Sequence, residues 1–81
     1  MKNKAFYGPY RAQDGDICVE TFPASRSLGT PSQHTISRRE GSQWKSIDGG
    51  NCRERKDERW TKGMKLAGTR GTTRYYRKLV S

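Results

Sequence analysis

Large apolar side chains are scarce in this sequence, and that scarcity limits what the chain can fold into. They are spread almost singly from Phe6 to Val80, and only 30% of the 81 residues are apolar. Burial returns about 25 cal/mol per Å², so a core built from so few groups barely offsets the entropy of ordering the backbone. The expectation is one small domain over residues 1 to 81 with a thin core, the first residues being loose. Two tryptophans and several strand-like runs argue against a fully disordered chain.

Those runs set the fold class. GDICVETF follows the Asp14-Gly15 turn signal, and residues 16 to 22 alternate, with Ile17, Val19 and Thr21 on one face and Cys18, Glu20 and Phe22 on the other. A short strand over 4 to 7, ending at Gly8-Pro9, would pair with it as a first hairpin. Residues 23 to 33, PASRSLGTPSQ, have little to bury and read as a long loop. Strands near 34 to 39 and 42 to 47, joined through Glu40-Gly41, make a second hairpin anchored by Ile36, Trp44 and Ile47. Asp48-Gly49-Gly50 should then break the chain.

The segment NCRERKDERW is the helical candidate, with Asn51 as N-cap, Glu54 completing a capping box and Gly63 stopping the helix. One helix near 52–61 would align Cys52, Lys56 and Trp60. After it, MKLAG reads as a short extended stretch, Gly68 to Gly71 as flexible, and TTRYYRKLV as the last strand. The fold class expected is mostly β or α+β: a small antiparallel sheet or partly open barrel of about five short strands with one short helix.

Charge speaks to the partner. Seventeen Lys and Arg stand against eight Asp and Glu, for a net +9. Residues 1 to 37 hold four cations and three acids, whereas residues 38 to 81 hold thirteen and five. From Arg59 onward no acid occurs, and seven cations remain. Such a distribution attracts anions: nucleic acid, acidic lipid or an acidic protein surface.

Chemistry that would compete with binding is sparse. Cys18, His34 and Cys52 are too few and too widely spaced for a zinc site, so neither metal nor cofactor is expected. The cysteines read as reduced, small apolar residues; a Cys18 to Cys52 disulfide would not persist in a reducing compartment. Ser32 and Ser37 flank His34 without a recognisable nucleophile arrangement, and Asp14, Asp16 and Glu20 surround an ordinary turn. No phosphate-binding loop or dinucleotide fingerprint is present, so no enzyme activity and no small-molecule substrate are expected. With no apolar run long enough to span a membrane and no signal-peptide pattern, the expectation is a cytoplasmic protein without a membrane partner.

The function that follows is a non-catalytic accessory or regulatory protein binding DNA or RNA. Its expected surface comprises Arg38, Arg39, Lys45, Arg59, Lys62, Lys65, Arg70, Arg74, Tyr76, Arg77 and Lys78, which could share one side if the second hairpin and the last strand are neighbours. Adjacent strand residues point to opposite faces, so either Tyr75 or Tyr76 should be exposed among arginines, where a base can stack. The alternative is a small inhibitor or adaptor of the phage or mobile-element type. It would dock on an acidic or nucleic-acid-binding protein surface, anchored by Trp44, Trp60, Tyr75 and arginine.

Overall fold

The computed structural model describes residues 10 to 79. Within them β1 (Ile17–Phe22), β2 (Gln33–Glu40), β3 (Gln43–Asn51), β4 (Met64–Arg70) and β5 (Thr73–Lys78) form one antiparallel sheet in the order β3-β2-β1-β5-β4. The sheet is open. The most β-branched strand, β1, occupies its centre, where both backbone edges are paired, and the hairpins β2-β3 and β4-β5 flank it. The small antiparallel sheet with one short helix is therefore the observed architecture. The proposed strand over 4 to 7 lies outside the described residues; the neighbours of β1 are β2 and β5.

Alternation in β1 gives the core. Ile17, Val19 and Ile36 are buried on one face, and Ile47, Trp60, Met64 and Tyr76 pack around them. This core is thin, and Phe22, Leu28, Leu66 and Leu79 remain exposed. The long loop is more ordered than its composition implies. Ser25 and Thr30 exchange backbone hydrogen bonds of 2.9 and 3.0 Å, closing SRSLGT into a tight turn.

Two expected boundaries shift. Asp48-Gly49-Gly50 does not break the chain: β3 runs through it to Asn51, still paired with β2. Glycine is needed at Gly50 because φ is +152° and a Cβ there would lie 2.5 Å from Glu54 Oε1. A bulge opposite Ile36/Ser37 also lets both Ile47 and Asp48 serve the helix side of the sheet. Likewise Gly68 is not flexible linker but lies inside β4, at a second irregularity.

The expected single helix is two pieces. A 3-10 turn (Cys52–Glu54) carries the anticipated capping box: Arg53 N–H donates to Asn51 Oδ1 at 2.9 Å, and Asn51 N–H donates to Glu54 Oε1 at 3.1 Å. Arg55 then adopts a left-handed conformation, φ +50°, and α1 (Lys56–Thr61) starts in a new direction. The break turns Asp57, Trp60 and Thr61 toward the sheet, at the i, i+3, i+4 spacing of one helix face. Trp60 Nε1–H donates to Asp48 Oδ2 at 2.9 Å, so the helix is tied to the bulge of β3. Gly63, at φ +80°, follows the helix as expected.

Candidate functional site

The strand registers divide the expected binding residues between two faces. β1 lies between the second hairpin and β5, so these are not neighbours and the eleven residues do not share one side. On the helix-bearing face, the pairings run in a row across the sheet, Lys45, Arg38, Ile17, Tyr76 and Leu66. Arg74 and Lys78 lie on the same face of β5 as Tyr76, and Arg59 and Lys62 belong to α1 and its C-terminal end. Arg39, Lys65, Arg70 and Arg77 fall on the opposite face.

The opposite face is built around small residues. Ser46, Ser37, Cys18 and Gly68 surround Tyr75 in register, leaving a trough beside its ring. Tyr10 fills it, stacking on Tyr75 with centroids 4.2 Å apart and planes 15° from parallel, while Trp44 closes the other side at 5.7 Å. A Cβ at Gly68 would stand 2.9 Å from Tyr10 Cβ, so only glycine admits the ring. Arg39 lies 5.4 Å over Trp44.

Below this cluster Asp16, 1% exposed, accepts from Arg77 Nε at 3.0 Å and Nη2 at 2.8 Å, from Gln13 N–H at 3.0 Å and from the Tyr10 hydroxyl. Burial opposes its charged form, but the bonds from Arg77, Tyr10 and Gln13 outweigh burial and hold the carboxyl below its ordinary value. The Tyr10 phenol is pushed well above its usual range by burial and by the Asp16 charge. Arg77, expected as a phosphate contact, is thus occupied as the counter-ion of a buried carboxylate. Its Nη2 also donates to Arg11 O at 2.8 Å.

Neither tyrosine is the open stacking ring expected from alternation. Tyr75 is half-buried beneath Tyr10, and Tyr76 is half-buried against Ile17, Val19 and Ile36 with Arg74 6.0 Å over its ring. Arg74 also stands 3.9 Å from Asp57, which is in turn 3.9 Å from His34 Nε2. His34 is buried, and neither ring nitrogen has a hydrogen-bond partner among the described residues. Ser37 lies on the other face of β2, so it cannot serve His34 as a nucleophile. Among the described residues no three His, Cys, Asp or Glu side chains cluster closely enough to hold a metal.

Both cysteines are free thiols. Cys18 lies in the trough face, its thiol pushed up to about 11 by burial and by Glu20. Cys52 instead lines a cavity of about 230 Å³ with Val19, His34 and Arg74 on the helix face. The sheet separates them.

The helix face holds a second cationic site. Arg38, Arg59 and Lys78 surround a cleft of about 320 Å³ whose floor and wall are Ile17, Trp60 and Met64, with Gly15 at its edge. Arg38 lies 5.4 Å over the Trp60 ring. No carboxylate lines this cleft. Seven of the ten cations in the expected surface have no ion pair among the described residues; Arg38, Arg74 and Arg77 have one. The Arg38 to Glu40 pair is 3.9 Å long and exposed, so it holds Arg38 only weakly.

The chain matches no protein-family model, no curated protein and no solved structure. Its site must be read from its own geometry. In the sequence Trp60 shares a helix face with Cys52 and Lys56 or stands among protein-docking anchors. Met64 and Ile17 read from sequence only as core or strand residues. Their convergence with Arg38 and Lys78 depends on β5 pairing with β1, a contact across almost sixty residues that no local pattern signals.

Proposed function

We propose that this is a small, non-catalytic nucleic-acid-binding protein, of accessory or regulatory type, that grips phosphates through the helix-bearing face of its sheet. The observation that carries this reading is the cleft of Arg38, Arg59 and Lys78 around Trp60, which has no carboxylate in its walls. Guanidinium forks suit phosphate oxygens geometrically, and each phosphate neutralised releases condensed counterions. Lys45, in register with Arg38, and Lys62, at the end of α1, extend the same surface. Arg39, Lys65 and Arg70 add long-range attraction from the other side.

The test is fluorescence anisotropy with labelled DNA and RNA, each single-stranded and duplex, at low salt. Wild type is expected to bind at least one, and Arg38→Ala with Arg59→Ala to weaken it about tenfold or more with the fold intact by circular dichroism. A chain that shifts none of the four probes ends this reading.

A second reading, docking on an acidic or nucleic-acid-binding protein surface, draws on Trp44, Tyr75 and Arg39 standing together on the opposite face. Aromatic and arginine anchors of this kind dominate protein interfaces. Under it, Trp44→Ala abolishes capture of a single stoichiometric partner while Arg59→Ala does not.

A further inference from the structure

We infer that the cleft between α1 and the sheet receives one unpaired nucleotide, so that the protein prefers single strands, or unpaired ends, to continuous duplex. This rests on the nucleic-acid reading and specifies the form of its ligand.

Size and shape come first. The cleft, about 320 Å³, lies at the low end of small-ligand sites, about 300 to 1,000 Å³, and suits one nucleotide-sized group. It is a recess, not a ridge. A duplex presents phosphates on its outside and keeps its bases stacked within, so filling a recess with a base requires extruding that base at a cost of a few kcal/mol. A single strand meets no such cost.

The walls divide the chemistry as a nucleotide does. Arg38, Arg59 and Lys78 supply only positive charge, matching the phosphate, while Ile17, Trp60 and Met64 supply an apolar surface, matching a base face. Trp60 is held in place because its only hydrogen-bond donor is already given to Asp48. It therefore offers a fixed ring edge and plane and reads no base-specific group. Arg38, 5.4 Å over that ring, adds a planar cation on which a base can lie. Contacts of this type tolerate any base, so little sequence preference is expected within the cleft.

Two other recesses among the described residues fit less well. The cavity beside His34 has Asp57 and Glu58 in its lining, and the one beside Arg77 has Asp14 and Asp16, so each opposes a phosphate.

Trp44→Phe leaves Trp60 as the sole tryptophan reporter, because the chain has only two. In that variant we would titrate an oligothymidine, a blunt-ended two-strand duplex of equal charge, and thymidine monophosphate against inorganic phosphate. The expected result is about tenfold or greater preference for the single strand, in line with the stacking of one base. Trp60 emission should change on binding, and the mononucleotide should compete better than phosphate. Equal affinity for strand and duplex with unchanged Trp60 emission would overturn the cleft assignment while leaving nucleic-acid binding intact. Binding of neither overturns both. Because Trp60 also packs on the core, its own variant is Trp60→Phe, checked by thermal melt; unchanged strand preference in both Trp60→Phe and Arg38→Ala would count against the cleft.

Discussion

At the scale of single residues, the contact with the largest expected consequence is Arg77 with Asp16. Removing one member of a buried, hydrogen-bonded ion pair costs about 3–5 kcal/mol, because the other charge stays behind. A domain of this size has only about 4 to 12 kcal/mol in total. Arg77→Ala should therefore lower Tm by about 12 °C or more, read by a circular dichroism melt, whereas Arg59→Ala, on the exposed side of α1, should melt within a few degrees of wild type. The acid limb follows from the same pair. The Asp16 carboxyl is depressed in the folded state, so its contribution is complete above the unfolded value near pH 4 and is lost as pH falls from there toward the folded value. Asp48, lowered chiefly by the Trp60 and Gly49 hydrogen bonds, acts with the same sign. Asp16→Asn, which leaves the Arg77 charge behind, should start from a lower Tm and show a flatter decline below about pH 4, and Asp48→Asn should flatten it further. Cys18 gives a third outcome: with its thiol buried and pushed up to about 11, a Cys52→Ser variant should resist Ellman's reagent until denaturant is added.

At the scale of elements, local signals were legible where one residue type answers one local need. The alternation of β1 and β5, the Asn51 and Glu54 capping box, the turn at Gly41 and the stop at Gly63 all stand as expected. What the sequence did not reveal are the places where a distant element overrides local chemistry. Asp48-Gly49-Gly50 resembles a chain break, yet its glycines let β3 lie close beneath Glu54 and against β2. Gly68 resembles a hinge, yet it makes room for Tyr10. Arg77 resembles a surface cation, yet it meets an acid 61 residues earlier. The break at Arg55 has the same origin, since rotating α1 is what brings Trp60 to Asp48. That break places a β-carbon at φ +50°, where glycine is favoured by about 1 kcal/mol. Arg55→Gly gives up only a 3.4 Å ion pair between two exposed side chains. We expect it to raise stability by up to about 1 kcal/mol, or about 4–8 °C in Tm, and a lower Tm would mean that Arg55 does more than turn the chain.

At the scale of the whole molecule, net charge and local geometry predict different salt behaviour. A +9 protein attracts any polyanion, so binding alone does not locate a footprint. Arg38, Lys45, Arg59, Lys62 and Lys78 on the helix-bearing side could together meet about five phosphates, giving a slope of log affinity on log salt near −3.5 for a single strand. Two triple variants remove equal charge from opposite faces: Arg59, Lys62 and Lys78 to alanine, and Arg39, Lys65 and Arg70 to alanine. If phosphates lie along the cleft, the first triple should make the slope shallower by about 2, while the second leaves it within about 0.5 and lowers affinity only through the diffuse field. Diffuse attraction without a footprint would instead reduce the slope equally in both. A larger loss from the second triple would move the footprint to the face of Trp44 and Tyr75, where Tyr75 is already stacked beneath Tyr10 and Arg77 is held by Asp16. None of the six substituted cations has an ion pair among the described residues. Their removal should leave the fold in place, so the comparison reports on binding and not on stability.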